Sequence, residues 1–255
     1  MRIDLNCDMG EGLGGSLEVD EELMPLISSA NVACGFHASD PGNMHRTVRL
    51  ARAHGVAVGA HPSYPDRSGF GRRDLAASPE EVRDDVLYQV GALEAFCRAE
   101  GLRLSHVKAH GALYNAAARD LPTALAVAEA VRDVDPSLWL VCLSGSTHVE
   151  AARRTGLRHV EEVFADRAYS REGRLVPRST PGAVIEDAAR VADRVLRMVK
   201  EEKVRCIDGT DIALRGGTVC VHGDTRGSVE LVRAIRARLV AEGVELAPFS
   251  REERA

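Results

Sequence analysis

No apolar run in this 255-residue chain approaches the roughly 18 residues that a membrane span needs. Its first residues, Met1-Arg2-Ile3-Asp4, lack the hydrophobic stretch of a signal peptide. Six cysteines, at 7, 34, 97, 142, 206 and 220, include no close pair. Cys34, Cys142 and Cys220 lie in or beside apolar, strand-like runs, where buried free cysteine is common. The expectation is a cytoplasmic protein with reduced thiols, in which neither Cys7 nor Cys34 has the neighbours of a nucleophile. Positive charge is not in excess. The formal net charge is −5, and Arg72-Arg73 and Arg153-Arg154 sit among acids, which argues against a nucleic-acid footprint.

Several catalytic signatures are missing too. There is no Gly-x-Ser-x-Gly elbow, and Ser144-Gly145-Ser146 lacks the flanks of one. No phosphate loop ends in Gly-Lys-Ser/Thr. Gly10-Glu11-Gly12-Leu13-Gly14 lacks the final glycine of a dinucleotide fingerprint and carries an acid where pyrophosphate would approach. Any nucleotide must bind by another arrangement, or elsewhere. Chemistry by His and Asp, through water activation or proton transfer, is favoured over acyl transfer through serine.

What is present is a repeated alternation. With 45% hydrophobic residues the chain can fill a sizeable core. Short strands are expected at 2–6, 31–34, 56–60, 104–108, 138–143, 160–164 and 219–222. Helices are expected over 18–29, from Asp40-Pro41 to Gly55, and from Ser78-Pro79-Glu80-Glu81 to about Glu100. Others should follow Leu121, span 148–155, run from Thr180-Pro181 to Val199, and run from Ser228 to near Gly243. Residues 204–214 read as a hairpin or an extra core strand, and 244–247 as a small closing strand. No linker-like composition shift interrupts the pattern. One α/β domain over 1–255 is expected, with excursions near 61–77 and 168–178. A closed barrel commonly uses about 250 residues, although the alternation also suits a doubly wound open sheet.

The strand ends carry the polar residues. Strand periodicity puts Asp4 and Asn6 on one face with Asp8 nearby, and Glu11 follows in the glycine segment. An acid inside a barrel is costly unless paired or liganded, so Asp4 or Asp8 is expected to meet His, Lys, Arg or a metal. His37 and His61 directly follow strands, and with Asp8 they are the candidate ligands of a divalent metal. The alternative is histidines that hold or protonate substrate. His106, Lys108 and His110 share one face by period two; such residues are poor material for an apolar core. Lys108 suits a carboxylate or phosphate, and His110 suits proton transfer. Tyr114 and Asn115 follow one helical step later. Asp166 with Arg167, and His222 with Asp224, complete the ring, and Arg167 has the fork for a carboxylate. Arg72, Arg73 and Arg178 are alternative anion clamps. His45, His54, His148 and His159 read as surface or packing residues.

The ordered motifs are Asp4-Leu5-Asn6-Cys7-Asp8-Met9-Gly10-Glu11, Asn31-Val32-Ala33-Cys34-Gly35-Phe36-His37-Ala38 and Gly59-Ala60-His61-Pro62-Ser63-Tyr64-Pro65-Asp66. They continue through Gly69-Phe70-Gly71-Arg72-Arg73, Val107-Lys108-Ala109-His110-Gly111-Ala112-Leu113-Tyr114-Asn115, Phe164-Ala165-Asp166-Arg167-Ala168-Tyr169 and Val221-His222-Gly223-Asp224. Over nearly its whole length the chain thereby resembles the LamB/YcsF family of 5-oxoprolinase A subunits. Ser39 stands where the family often has glycine, and Ala109 where it often has proline. The resemblance implies a distorted seven-stranded β/α barrel, similar to polysaccharide-deacetylase-like barrels. It also implies cleavage of 5-oxoproline to L-glutamate, driven by ATP with Mg2+, in complex with separate B and C subunits. Lys108 and Arg167 would then bind anionic oxygens, with Glu11, His37, Arg72, Tyr114, Asn115 and Asp224 around the substrate. His110 with Asp8 or Asp166 would move protons, and His61 and His222 would position ring or phosphate. A metal-dependent deacetylase or amidohydrolase acting alone, and a non-catalytic scaffold, are the alternatives.

Overall fold

Seven parallel strands close into a ring. In the computed structural model, which describes residues 1–12, 18–223 and 227–251, these are β1 (Arg2–Met9), β2 (Ser29–Ala33), β3 (Ala57–His61), β4 (His106–Val107), β5 (Trp139–Leu143), β6 (Arg158–Phe164) and β9 (Thr218–Val221). β1 pairs with both β2 and β9, and that double pairing shuts the barrel. Between β6 and β9 the antiparallel hairpin of β7 (Lys203–Arg205) and β8 (Asp211–Ala213) stands apart, so residues 204–214 add no core strand. The closing strand, β10 (Glu245–Leu246), lies parallel to the start of β1.

The helices are α1 (Glu18–Leu23), α2 (Pro41–His54), α3 (Pro79–Ala99), α4 (Gly111–Ala117), α5 (Leu121–Val134), α6 (Thr147–Thr155), α7 (Ala188–Glu201) and α8 (Ser228–Ala241). Their ends follow local chemistry. Asp40 accepts from the Asn43 amide at the start of α2, and Gly55 in the left-handed region ends it. Ser78 and Glu81 form a reciprocal capping box on α3.

Two helices differ from expectation. α1 stops at Leu23, where Pro25 enters a tight 3-10 turn over Met24–Leu26 and the chain turns into β2. α7 begins only at Ala188, capped by Asp187, although Thr180-Pro181 offered a plausible start. The reason is tertiary: Val184 bridges to Arg167, and the Ile185 amide donates to the Asp166 carbonyl at 2.9 Å. That backbone is committed to pairing and cannot also be helical. β1, conversely, runs three residues beyond the expected end and carries Asp8 into the barrel.

The inside of the barrel is polar. Alternation along β1 sends Leu5, Cys7 and Met9 to the apolar layer and Asp4, Asn6 and Asp8 inward, all of them buried. Asp4 accepts hydroxyls from Ser28 and Ser29, both at 2.7 Å, and from Thr218. Of the two acids, Asp8 meets the expected lysine and histidine, whereas Asp4 is held by three hydroxyls. Above it, Asn6 donates to Glu162 at 3.0 Å and Asn31 donates to Asn6 at 2.8 Å. His106 meets Asn31 at 2.9 Å. Gly59 makes room for that imidazole, since a Cβ there would lie 2.1 Å from His106 Nε2.

Ser39 is buried at φ +76°, a conformation costly for an L side chain, so Ser39→Gly should raise stability by up to about 1 kcal/mol in urea titrations. A loss of stability would mean that the hydroxyl matters more than the backbone. Burial raises the Asp4 carboxyl from 3.8 to about 6, despite its hydroxyl donors. The folded state therefore binds this proton more tightly than the unfolded chain. Its contribution is complete below pH 4 and lost as pH rises through 6. The stability of wild type minus that of Asp4→Asn should fall by roughly 2 kcal/mol between pH 4 and pH 7. A flat difference would contradict the assignment.

Candidate active site

The C-terminal ends of the strands open into a cavity of about 610 Å³. Asp8, His61, Lys108, His110, Tyr114, Phe164, Arg167 and His222 line it, with Arg72, Asn115 and Arg178 at its margin. The volume is in the range of small-molecule sites. The polar groups arrive from five strand ends: Asp8 from β1, His61 from β3, Lys108 and His110 after β4, Arg167 after β6 and His222 after β9.

Lys108 sits deepest. Its ammonium lies 3.0 Å from Asp8 Oδ1 and 3.0 Å from Glu162 Oε1, and it donates to Cys220 Sγ at 3.0 Å. Phe164 covers it, with the ring centroid 5.3 Å from Nζ. Burial alone would favour neutral lysine, but the carboxylates of Asp8 and Glu162 override it and hold the ammonium charged. Burial also works against the Asp8 carboxylate, yet His61 and Lys108 hold it well below the usual range. Burial pushes the Cys220 thiol up, so it meets the ammonium as a neutral thiol. Glu162 Oε2 accepts the Tyr114 hydroxyl at 2.7 Å, which ties α4 to the network.

Beside this network three imidazoles and one carboxylate converge. His61 Nδ1 lies 2.7 Å from the Lys108 carbonyl, and His110 Nε2 lies 2.9 Å from the Phe70 carbonyl. Carbonyls only accept, so each of those nitrogens carries its proton. His37 Nδ1 lies 2.9 Å from Ser63 Oγ, whose own proton goes to the Tyr64 carbonyl at 2.9 Å. The remaining nitrogens turn inward. His37 Nε2 is 3.0 Å from Glu11 Oε1, His110 Nδ1 is 3.4 Å from it, and His110 Nδ1 is 3.0 Å from His61 Nε2. Burial pushes the His37 and His110 imidazoles well below the ordinary histidine value. Phe70 has φ +55°, a strained conformation for a non-glycine residue, and it is Phe70 that supplies the carbonyl to His110.

A further pair stands at the lip. His222 Nδ1 lies 2.9 Å from Asp166 Oδ1, which leaves Nε2 for the cavity, and the ring stacks on Phe164. Arg167 is buried, spends one nitrogen on the Val176 carbonyl at 2.6 Å, and leaves Nε without a hydrogen-bond partner.

The structure therefore brings together Asp8, His61, Lys108, His110, Asp166, Arg167 and His222, with Glu11, His37 and Tyr114 adjoining them. Asp224 lies outside the described residues. The candidate metal set changes. Glu11 and His110 join His37 and His61, whereas Asp8 groups with Cys220 and His222. Arg73 belongs to another role, since its guanidinium is spent on Asp66 in the long loop. His148 is fully buried beside Tyr114, a packing residue as expected. Cys7 and Cys34 have thiols pushed up by burial, Cys34 to about 12, which fits neither with a nucleophile. Sequence reasoning missed Glu162 and Cys220. Their one available signal was phase, because Glu162, Phe164 and Asp166 alternate inward, as do Cys220 and His222.

The LamB/YcsF family profile matches residues 3–254. The chain belongs to the LamB/YcsF family. It is 55% identical over 250 residues to the A subunit of 5-oxoprolinase from Thermus thermophilus, covering 98% of this chain and 100% of that one. The crystal structure of the lactam utilization protein from Thermus thermophilus superposes with a TM-score of 0.92 at 54% identity, over 98% of this chain and 100% of that one. A protein from Enterococcus faecalis V583, described provisionally as a cellobiose-phosphate cleavage protein, shares the fold alone. Its TM-score is 0.54 at 14% identity, over 96% of each chain. The described residues Asp8, His61, Lys108, His110, Arg167 and His222 of the motifs by which the sequence resembles the LamB/YcsF family line this cavity.

Replacing Lys108 by methionine leaves Asp8 and Glu162 buried without their cation. Lys108→Met should cost roughly 3–5 kcal/mol in urea denaturation. Wild-type stability in that variant would show that the ammonium does not hold these carboxylates.

Proposed function

We propose that this chain is the A subunit of an ATP-dependent 5-oxoprolinase, which opens the cyclic amide of 5-oxo-L-proline to L-glutamate. The observation that carries the reading is the end-to-end likeness to the 5-oxoprolinase A subunit of Thermus thermophilus, supported by the lactam utilization protein's matching fold. ATP with Mg2+ and separate B and C subunits belong to the same proposal, as does work in the cytoplasm. The absence of any membrane-length apolar helix among the described residues agrees with it.

The chemistry asks for charge and protons. A lactam carbonyl is a poor electrophile in a stable ring. Phosphoryl transfer to the lactam oxygen activates it, water adds to the carbon, and the ring nitrogen leaves with a proton. The acyl phosphate so formed takes a second water to give the carboxylate and phosphate. Arg167, pushed by burial down to about 10 but still a cation at neutral pH, faces the cavity and suits a carboxylate or phosphate oxygen. Arg72, Tyr114 and Asn115 shape the space around the ring. Lys108 has its donors engaged with Asp8, Glu162 and Cys220, so its part is to keep Asp8 ionised and in place. Asp8, His61 and His110 form the edge at which water is polarised. His222, oriented by Asp166, is the proton carrier for the leaving nitrogen.

A second reading, a metal-dependent amidohydrolase acting alone, is favoured by the cluster of three histidines and one carboxylate. A non-catalytic scaffold is opposed by so much ionisable chemistry in one cavity. Glutamate release from 5-oxoproline, measured with ATP and with the B and C subunits omitted one at a time, separates these readings. The expected result is product only with ATP and partners present, and a rate at least about 100-fold lower for His222→Ala. Product without ATP would support the second reading. An unchanged rate in His222→Ala would remove that residue from the reaction.

A further inference from the structure

We propose that Glu11, His37, His61 and His110 form a binding site for one divalent transition-metal ion of the zinc class. The inference stands apart from the substrate assignment. It rests on which way the nitrogens point.

Each imidazole has its outward nitrogen tied to an acceptor: His37 to Ser63 Oγ, His61 to the Lys108 carbonyl and His110 to the Phe70 carbonyl. Metal-ligating histidines are held in this way, with the second nitrogen donating to a fixed oxygen, so that tautomer and ring orientation are set beforehand. The nitrogens left over, His37 Nε2, His61 Nε2 and His110 Nδ1, turn toward one another and toward Glu11 Oε1, with Asp8 Oδ2 a further 3.3 Å neighbour of His61 Nε2. Two of them, on His61 and His110, face each other at 3.0 Å. Facing lone pairs repel, so an electrophile between them is required: a cation or a proton.

The spacing accommodates a cation as well as a proton, and the donor set favours the cation. Metal–ligand bonds of about 2.0–2.1 Å in a tetrahedral site place neighbouring ligand atoms about 3.3 Å apart. The observed separations are 3.0 Å for His37 and Glu11, 3.0 Å for His61 and His110, and 3.4 Å for His110 and Glu11. All four ligand atoms lie within 4.8 Å of one another. The His37 and His110 rings stack in parallel with centroids 3.8 Å apart, so binding tilts these two rings toward a common point. Three imidazoles and a carboxylate select zinc, or its neighbours cobalt and iron, over magnesium, which prefers oxygen donors. The surroundings are built for rigidity. Gly71 packs so closely that a Cβ would lie 2.8 Å from His110 and 2.9 Å from the His37 Cβ. Phe70 bears a strained backbone at the point where its carbonyl reaches His110.

The test uses the full chain, stripped with a chelator and then titrated with Zn2+ or Co2+. One ion per chain is expected to bind, to raise the thermal melting temperature, and to be retained through gel filtration. His37→Ala and His110→Ala should each bind at least about 100-fold more weakly, and Ser63→Ala, which frees only the outward nitrogen of His37, roughly 10- to 100-fold more weakly. His45→Ala, on α2 and remote from the cluster, should bind as wild type does. The Co2+ absorption spectrum of the wild-type protein reads the donors without any substitution, and nitrogen–oxygen ligation is expected. Failure to bind either ion stoichiometrically would overturn the proposal. So would wild-type binding by both histidine variants, or a thiolate-to-cobalt band, which would assign the ion to Cys220.

Discussion

An ammonium buried inside a β-barrel, between two carboxylates, sets the terms for this molecule. Burial alone would neutralise Lys108 and Asp8; paired with each other they stay charged, and Glu162 lies on the other side of the ammonium. Buried ion pairs seldom add net stability compared with well-packed apolar groups, but removing one member is costly. The barrel has accepted a polar interior and satisfied it layer by layer. Hydroxyls surround Asp4, amides of Asn6 and Asn31 form the next tier, and charge is reserved for the tier that opens to the cavity. The apolar packing that fills many barrel interiors is moved outward, between strands and helices.

Two neighbouring arrangements draw on that fixed charge in different ways. At one side, His61 and His110 are locked by backbone carbonyls and offer lone pairs, the behaviour of ligands. At the other, His222 is braced by Asp166 and leaves one nitrogen toward the opening, the behaviour of a proton carrier. Asp8 lies between them: its Oδ2 is 3.3 Å from His61 Nε2, and it also groups with Cys220 and His222. In the proposed reading, what holds their far nitrogens divides the work among the histidines of one cavity.

Much of this was legible from residue order. Period two put His106, Lys108 and His110 on one face, and all three point inward; the closed barrel followed from the alternation and the family motifs. Local capping signals placed α2 and α3 well, since Asp40 and Ser78 act within one turn. What escaped was long-range. Glu162 sits amid an ordinary strand pattern, and nothing near it in sequence announces Tyr114 or Lys108 as its partners. Thr180-Pro181 looked like a helix start because sequence cannot show that Val184 will pair with Arg167. Phe70 gave no sign of its role, because a backbone carbonyl has no residue-type signature. Either Asp4 or Asp8 was expected to meet a cation or histidine; Asp8 does, and the hydroxyls around Asp4 are too common in sequence to single out.

β1 owes its place to β9, whose Thr218 bonds Asp4 from 214 positions away along the chain. Such distant pairing gives the ring a high entropic threshold for closure. A ribosome making this chain from the N-terminus has delivered Asp8, Lys108 and Glu162 well before the stave that shuts the ring around them. Until Thr218–Val221 emerges, the half-built sheet shows water a charged inner surface, which also discourages premature collapse and sticking to neighbours. The same inner charge that equips the finished cavity is the face that the unclosed sheet turns to water.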